Sequence, residues 1–456
     1  MTTGSVRAVD GPGTHRVLVS MALAAFMAVL TGTTVTSTLE ALGAELGAPI
    51  SGVVWITVVY LVAASAAVPL VGWLSARWGP ARLLQAALVG FALSSLLCGF
   101  AWDLNSLVVF RAVQGLSGGL LEPAAIAVVG LVTPADALGR VMGLVSLVIN
   151  VGPVAGPLIG GALVGAGAWP WIFWLNVPLA VLVGLGAWRL VPGTRSTGDR
   201  AAVDVRGLLL LPPGFVLLLL GLNRAGAGSG APTVAVCVLL GLALLAGYVR
   251  HALRAPAPLL DVRLLRIPSF AAALGVMSAV GLVMYTQLTV LPALAVRSIG
   301  LGPGWQAFPV AVLGLGLMIS MTSSGRVSDT TGPRILVRGG ASVTAAAAIL
   351  ILAGHARWPA AAVLAVVFLL GLGFGAVAAP TFAGLYRVLP RESMAQGTAA
   401  LFIVVQLFAS AGVTLVGFLT AASVDPVGTA YGVVAVAALL VVAAARLLPG
   451  RPTLTR

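Results

Sequence analysis

Long apolar runs follow one another along almost the whole chain, separated by charged, polar, glycine or proline residues. Each run has about 20 residues, the length that an α-helix needs to cross the hydrocarbon core of a bilayer. The breaks divide the chain into fourteen predicted helices. Their approximate spans are 17–39, 52–74, 81–101, 105–130, 139–163, 170–190, 205–223, 232–252, 269–292, 304–324, 333–354, 359–382, 396–421 and 427–447. The pattern therefore predicts an all-α polytopic membrane protein.

The composition supports this prediction. Of the 456 residues, 60% are hydrophobic and 8% are charged, whereas a soluble globular protein has about 25% charged residues. The first apolar run lacks a clear signal-peptide cleavage site and precedes many others, so we expect it to be a retained helix. Cys98 and Cys237 lie in apolar runs, where each is expected to be a small buried side chain. Neither a disulfide framework nor a metal site is predicted.

All 25 basic residues are arginines, and the net charge is +13. If the N-terminus is cytoplasmic, twenty-one arginines fall in inner segments and only Arg224, Arg297 and Arg357 fall in outer loops, while Arg111 lies within a predicted helix. This positive-inside bias predicts an even number of spans in the inner (plasma) membrane, with both termini in the cytoplasm. The basic charge is expected to attract anionic lipids, and no nucleic-acid partner is expected.

Two stretches in predicted cytoplasmic loops carry the same local pattern. Residues 72–84 are GWLSARWGPARLL, and residues 325–337 are GRVSDTTGPRILV. The matching positions suggest a duplicated transporter architecture, although a tight cytoplasmic turn by itself also favours Gly and Arg. Two six-helix halves then leave two helices over. The predicted domains are an N-terminal half at 1–190, a linker with two extra transmembrane helices at 191–268 and a C-terminal half at 269–456.

Four motifs together resemble those of the major facilitator superfamily, and most of all its fourteen-helix drug:proton antiporter family. The superfamily's loop motif (G-x-L-a-D-r-x-G-r-r) is similar to both stretches above. RAVQGLSGG at 111–119 resembles the helix 4 motif, GPVAGPLIGG at 152–161 the helix 5 motif, and WPWIFWLNVP at 169–178 the entry to helix 6. The resemblance covers essentially the whole chain. It implies the major facilitator fold, with two six-helix halves, two inserted central helices and fourteen spans.

The resemblance also implies a function and roles for several residues. The family exports drugs, antibiotics or metabolites with a proton gradient as the energy source and without a cofactor. A coupling or cavity role is implied for Arg111, and gating or structural roles are implied for residues of the loop and helix 5 motifs. Those residues are Gly72, Arg77, Gly79, Asp329, Gly152, Pro153 and Gly156. Asp329 resembles a cytoplasmic latch of the outward-facing state, and it is expected to cap a helix N-terminus or pair with an arginine.

Glu122 is the only clearly embedded carboxylate in the first six predicted helices. At about 100° per residue it lies about 20° from Arg111 around the helix axis, so the two side chains share a face, although about 16 Å of rise separates them. Gly115 and Gly118 between them allow another helix to approach closely. An ionisable group within a span usually faces a cavity or a partner. Glu122 can therefore carry protons, attract a cationic substrate, or form a structural hydrogen bond or gate-locking salt bridge.

Two positions depart from the family pattern. Thr31 stands where the family carries a helix 1 Asp that is thought to interact with the helix 4 Arg, so the usual coupling site is absent. Ala76 stands where the first loop motif has its Asp, while Asp329 keeps that residue in the second copy. Glu122 is expected to replace the function of the missing helix 1 Asp without replacing its geometry. The hydroxyl groups around Thr31 can bond a substrate, Arg111 or their own helix backbone.

Further polar residues within the predicted spans are candidates for the wall of a central cavity, and each can also serve as an interhelical hydrogen-bonding group. These candidates are Thr31, Thr34, Gln114, Tyr285, Gln287 and Gln406.

The sequence therefore predicts a secondary transporter that exports amphipathic small molecules in exchange for protons by alternating access. Its expected partners are a lipophilic substrate, protons and membrane lipids, and it is expected to be monomeric. An uncoupled facilitator or importer is the alternative, prompted by Thr31. A membrane enzyme or receptor is a remote alternative, because His15, His251 and His355 lie far apart in tails or loops and no nucleotide-binding motif or soluble output domain is evident.

Overall fold

The computed structural model describes residues 12–38, 42–43, 45–48, 50–134, 137–190, 204–226, 230–300, 308–390, 393–422 and 425–450. These residues form α-helices joined by turns, and no β-strand occurs among them. The helices are α1 (Pro12–Ser37), α2 (Ile50–Ala67), α3 (Leu70–Trp78), α4 (Pro80–Gly99), α5 (Leu104–Val132), α6 (Leu138–Gly165), α7 (Trp171–Trp174), α8 (Asn176–Leu190), α9 (Val205–Gly226), α10 (Ala231–Ala252), α11 (Pro268–Arg297), α12 (Phe308–Thr331), α13 (Pro333–Gly354), α14 (Ala360–Val388), α15 (Met394–Ala422) and α16 (Pro426–Ala444). The all-α prediction is confirmed.

Ten of the described helices are long and apolar enough to cross a membrane, and α2 with α3 makes an eleventh if the pair is one span bent by 55°. Each of the fourteen predicted spans overlaps one described helix or a consecutive pair of helices. The apolar stretches in α1, α6 and the α7–α8 pair are shorter, at Leu18–Gly32, Arg140–Ile149 and Trp171–Gly186. A multi-pass membrane protein is therefore confirmed, whereas the count of fourteen spans stays a prediction.

The two copies of the loop motif adopt the same backbone turn. Gly79 has φ 82° and ψ 146°, and Gly332 has φ 80° and ψ 161°. Glycine enters this region without the steric cost that a Cβ atom imposes. Each glycine is the N-cap of the next helix, and Pro80 or Pro333 follows at the first helical position, where a missing N–H is tolerated. The repeated sequence thus encodes a repeated turn, while the boundaries of the two halves stay a prediction.

Small residues bring α5 into close contact with α2. A Cβ atom at Gly115 would meet the backbone oxygen of Tyr60, and one at Gly119 would meet the backbone of Ala64. A Cβ atom at Gly118 would lie 2.7 Å from the hydroxyl of Tyr60. The glycines that the sequence marks as a packing surface therefore place Tyr60 directly beside α5.

Gly119→Ala is expected to lower thermal stability, because the added methyl group would meet the backbone of Ala64, which cannot rotate away. Overpacking of this kind costs about 1–3 kcal/mol. The matched control is Gly184→Ala in α8, where no atom lies within 4 Å of the added Cβ. That change is expected to be neutral or to stabilise by up to about 1 kcal/mol. Thermal unfolding in detergent measures both variants, and equal midpoints would contradict the expected clash.

Asp204 hydrogen-bonds to α9, to α10 and to the segment that follows them. These two helices lie between the predicted halves. The carboxylate of Asp204 accepts hydrogen bonds from the backbone N–H groups of Gly207 at 2.8 Å and Leu259 at 3.0 Å. It also lies 2.6 Å from Nε2 of His251. Asp204 therefore holds together the start of α9, the end of α10 and the chain that leads to α11.

The carboxylate of Asp204 is expected to make stability depend on pH. Burial raises its pKa, but the hydrogen bonds from Gly207, His251 and Leu259 outweigh burial and lower the pKa below its usual value. Such a group stabilises the fold above its unfolded-state pKa of about 3.9, and this contribution disappears as the pH falls through the folded-state pKa. Asp204→Asn should therefore lower the unfolding midpoint at neutral pH, with a deficit that shrinks below about pH 4. Thermal unfolding across this range checks the expectation, and a constant deficit would contradict it.

Candidate functional site

The candidate site is built on α5, which begins at a capping box. Asp103 accepts a hydrogen bond from the backbone N–H of Ser106 at 2.7 Å, and Oγ of Ser106 accepts one from the N–H of Asp103 at 3.2 Å. The hydrogen bonds from the backbone and side chain of Ser106 lower the pKa of Asp103. Reciprocal capping fixes the residue at which a helix starts. It therefore fixes the register of Arg111 and Glu122 along α5.

Arg111 is completely buried between α2, α4 and α5. Its Nε donates to the carbonyl oxygen of Ile56 at 3.1 Å, and its Nη1 donates to Oε1 of Gln114 at 2.5 Å. Gln114 in turn donates from Nε2 to Oγ of Ser95 at 2.6 Å. This chain of hydrogen bonds holds the guanidinium in one orientation.

Aromatic rings complete the surroundings of the guanidinium. The Cζ atom of Arg111 lies 4.0 Å from the ring centroid of Tyr60 and 5.8 Å from that of Phe173. No described carboxylate forms an ion pair with Arg111. A carbonyl, an amide oxygen and ring faces therefore surround the buried charge, while Nη2 has no hydrogen-bond partner among the described residues. Cation–π contacts of this kind strengthen when they are desolvated.

The helix 1 threonines bond to their surroundings rather than to Arg111. Thr31 Oγ1 donates to the carbonyl oxygen of Met27 at 2.9 Å and lies 2.9 Å from Oδ1 of Asn176. Thr34 Oγ1 donates to the carbonyl oxygen of Leu30 at 2.7 Å. These contacts match the backbone alternative that the hydroxyl-rich sequence left open. Thr31 therefore occupies the position of the family's Asp without taking up its expected contact.

Four of the six predicted cavity residues do not face open space in this conformation, because the packed helices around them exclude it. They are Thr31, Thr34, Gln114 and Gln287, each at most 2% exposed. Their place in a cavity wall stays a prediction. Tyr285 is 42% exposed, and Gln406 is partly exposed and accepts a hydrogen bond from Oγ of Ser65 at 2.9 Å. That bond joins α2 to α15, so these two residues remain candidates.

Glu122 is partly exposed on α5. Within the described residues, no hydrogen bond or ion pair reaches its carboxylate. The hydroxyl groups of Tyr60 on α2 and Tyr285 on α11 lie near this carboxylate, and the hydroxyl of Tyr60 donates to the carbonyl oxygen of Ala28 at 3.3 Å. Tyr60 also carries the guanidinium of Arg111 on its ring. Tyr60 therefore lies beside both ionisable groups of α5, which are too far apart to pair with each other.

Contacts between the predicted halves close one side of the bundle. Asp329 at the end of α12 accepts a hydrogen bond through Oδ2 from the backbone N–H of Arg140 at 2.9 Å. Arg140 is the third residue of α6, so Asp329 caps the N-terminus of that helix. On the same predicted cytoplasmic side, α3 contacts α15, and a Cβ atom at Gly72 would lie 2.6 Å from Cγ of Gln396. These contacts join the two predicted halves on the side that the sequence predicts to be cytoplasmic.

The other residues of the loop and helix 5 motifs have packing roles or lie at the surface. Arg77 is exposed, with Cζ 5.8 Å from the ring centroid of Trp73. Gly152 and Gly156 are buried, and a Cβ atom at Gly152 would lie 2.9 Å from Val29 on α1. The side chain of Pro153 lies outside the described residues. The helix 5 motif therefore serves the close packing of α6 against α1.

Asp329→Ala is expected to favour opening of the predicted cytoplasmic side, because it removes the cap of α6. Loss of a helix cap costs about 0.5–2 kcal/mol, which is roughly 2- to 30-fold in the equilibrium between the closed and open states. Spin labels at the exposed positions Leu144 on α6 and Val327 on α12 measure the separation of the two helices. Thr330→Ala, whose hydroxyl bonds only within its own helix, is the matched control. An unchanged distance distribution in Asp329→Ala would contradict the latch.

The sequence did not identify two polar pairs that the fold assembles. His251 pairs with Asp204, and Nε2 of His355 lies 3.0 Å from Oδ2 of Asp425. Each aspartate also accepts a hydrogen bond from the backbone at the start of its helix. His251 and His355 are therefore helix-end partners of aspartates. Within the described part of the chain, no group of three or more His, Cys, Asp or Glu residues could hold a metal ion.

A bundle of apolar helices with few embedded charges and paired loop motifs defines a polytopic membrane protein. The family model described as Major Facilitator Superfamily matches residues 21–413. The chain belongs to the Major Facilitator Superfamily.

Similar proteins agree with this assignment. The chain is 31% identical over 404 residues to Multidrug resistance protein B homolog of Mycobacterium tuberculosis (strain ATCC 25618 / H37Rv). The aligned region covers 87% of this chain and 74% of that protein. It is 29% identical over 327 residues to Fatty acid resistance protein FarB of Neisseria gonorrhoeae, covering 70% of this chain and 64% of that protein. The crystal structure of the human organic anion transporter MFSD10 (TETRAN) is similar with a TM-score of 0.67 at 17% identity, covering 95% of this chain and 100% of that chain. That likeness concerns the fold alone.

Proposed function

We propose that this protein is a secondary active transporter that exports amphipathic small molecules, such as drugs, antibiotics or metabolites, in exchange for protons. Membership of the superfamily and relatives named for multidrug resistance and fatty acid resistance support export of such compounds. The proposed energy source is the proton gradient, with no cofactor. The proposed setting is the inner (plasma) membrane, with a monomeric chain whose termini both face the cytoplasm.

The position of Glu122 carries this proposal. The carboxylate lies on a membrane-crossing helix of the first predicted half and near Tyr285, which lies on the first helix of the second predicted half. Within the described residues no cation neutralises it. An ionisable group within a membrane span is energetically costly and usually belongs to a substrate pathway or a proton relay. Glu122 can release its proton when a cationic or hydrogen-bonding substrate reaches it.

Alternating access would connect this proton exchange to transport. In the proposed cycle, a proton from outside binds Glu122 while Asp329 keeps the cytoplasmic side closed. Opening of that side lets the proton leave and the substrate bind near Glu122, Tyr285 and Gln406. Return to the closed state then delivers the substrate outside. Tyr60 contacts Arg111 and interacts with Glu122, so it is placed to transmit changes in the charge of the carboxyl group to the fixed cation.

Transport by purified protein in liposomes tests the proposal. Vesicles loaded with a fluorescent lipophilic cation are given a pH gradient of either direction, and a protonophore is added in a parallel sample. Coupled export predicts substrate movement against its own gradient that follows the direction of the pH gradient and stops with the protonophore. Movement that never exceeds equilibration would contradict proton coupling.

An uncoupled facilitator or importer is the second candidate function. The observation that favours it is Thr31, which replaces the family's helix 1 Asp and bonds to Asn176 instead of Arg111. This candidate predicts equal rates of substrate movement with and without the pH gradient in the same vesicles.

A further inference from the structure

A crevice of about 190 Å³ lies between α2 and the helix pair α9–α10. It does not belong to the site around Glu122. Its lining includes Trp55 and Val59 from α2, Leu220 and Arg224 from α9, and Thr233 and Cys237 from α10. We refer to it as the α2–α9–α10 crevice.

The lining of this crevice is arranged in two tiers. One tier consists of Trp55, Arg224 and Thr233. Each of these residues lies four positions along its own helix from an apolar or weakly polar residue of a second tier. Four residues in a helix correspond to about 6 Å of rise. The second tier is Val59, Leu220 and Cys237. One end of the crevice is therefore polar and aromatic, and the other end is apolar.

The polar tier is suited to an anion. Arg224 is exposed in the last turn of α9, and it forms no ion pair with any described residue. Thr233 lies in the first turn of α10, whose N-cap, Gly230, provides no side-chain hydrogen bond to the helix. The N–H groups of Thr233 and Val234 donate to the carbonyl oxygen of Gly230, so the hydroxyl of Thr233 and the dipole at the helix N-terminus are the features that favour negative charge there. A lipophilic cation would meet the charge of Arg224 and is disfavoured there.

The crevice is open to the bilayer. Only 11% of the apolar window of α10 is buried inside the molecule, so lipid surrounds this helix. Tryptophan is typical of the membrane interface, and Trp55 is 48% exposed. An anion that enters from this environment and also fills an apolar tier has a charged head and a hydrocarbon tail. An inorganic phosphate ion would leave the apolar tier empty.

We propose that the α2–α9–α10 crevice binds a phospholipid, with its phosphate at Arg224 and Thr233 and an acyl chain along Val59, Leu220 and Cys237. On the predicted topology, this lipid belongs to the outer leaflet. The other side of α9 contacts α15, where Thr414 donates a hydrogen bond to the carbonyl oxygen of Leu222 at 2.6 Å. The lipid therefore fills the gap between α9 and α2, whereas α9 is hydrogen-bonded directly to α15 on its other side.

Cys237 reports on occupancy of the crevice. The chain has two cysteines, and Cys98 is completely buried, so a Cys98→Ser chain leaves Cys237 as the only thiol. The rate at which N-ethylmaleimide modifies Cys237 is measured in detergent with increasing phosphatidylglycerol. The lipid is expected to slow modification, and Arg224→Gln is expected to raise the lipid concentration needed by about tenfold or more, the value of a charge-assisted hydrogen bond.

Three controls make the result decisive. Arg357→Gln removes another exposed arginine of the predicted outer side and should leave protection unchanged. Diacylglycerol, which lacks the phosphate, and inorganic phosphate, which lacks the chain, should each protect poorly. Equal protection of wild type and Arg224→Gln, or full protection by diacylglycerol, would overturn the phosphate site. Full protection by inorganic phosphate would overturn the lipid assignment. Unchanged thermal unfolding of Arg224→Gln confirms that the variant is folded.

Discussion

Glu122→Gln is expected to abolish proton-driven export and to leave substrate binding close to that of the wild type. The amide has nearly the same size and remains polar, but it cannot bind and release a proton. A positioned proton-transfer group contributes about 10²- to 10⁴-fold in rate, so coupled transport should fall by at least about 100-fold. Transport in liposomes and equilibrium binding in detergent measure the two effects separately.

The matched control for this change is Glu45→Gln. Glu45 is an exposed carboxylate on the predicted outer side, so its neutralisation changes the net charge by the same amount without touching α5. This control should transport like the wild type. Retention of pH-driven export in Glu122→Gln would return Glu122 to a structural role. Loss of both transport and binding would assign Glu122 to substrate recognition instead.

Arg111→Lys is expected to have the second largest effect, although it conserves the charge. The guanidinium donates from different nitrogens to Ile56 and Gln114 and stacks on Tyr60. An ammonium group is a compact, strongly hydrated cation that does not reproduce this planar arrangement. Losing one hydrogen bond to a buried charged group costs about 1.5–3 kcal/mol. We expect a lower unfolding midpoint and a loss of coupled transport of about tenfold or more.

Arg77→Lys is the control for this substitution, because Arg77 is exposed and has only a distant ring contact. It should unfold at the wild-type midpoint and keep transport. If Arg111→Lys unfolded and transported like the wild type, the fixed geometry of the guanidinium would have no role in coupling. If it lost stability but kept transport per folded molecule, Arg111 would be purely structural.

Local sequence features predicted the parts of the molecule that depend on local physics. Apolar length located the helices, because a membrane span must satisfy its own backbone hydrogen bonds. The two copies of the loop motif contain Gly-Pro pairs at 79–80 and 332–333, and both form the same turn because glycine accepts a positive φ while proline fixes φ at the first helical position. The isolation of Glu122 among apolar residues identified it as a candidate without reference to any neighbour. Length alone did not establish the number of spans, because α1, α6 and the α7–α8 pair contain shorter apolar stretches.

The sequence alone did not predict contacts between residues that are far apart along the chain. Thr31 pairs with Asn176, 145 positions away, a partner that the sequence did not indicate. Tyr60, which connects Arg111 to Glu122, left no signal beyond the glycines that receive it. Asp204 and Leu259 are 55 positions apart. A single sequence shows which residues are unusual for a membrane span, but the helix packing decides which of them meet.

Proton release on substrate addition tests the central claim most directly. Purified protein in weakly buffered detergent solution, at a pH where Glu122 is protonated, is mixed with a lipophilic cation while a pH indicator follows the proton concentration. Exchange at Glu122 predicts a stoichiometric release of protons from the wild type and none from Glu122→Gln, although both bind the cation. Equal release from both proteins, or binding by the wild type without any release, would contradict Glu122 as the proton carrier.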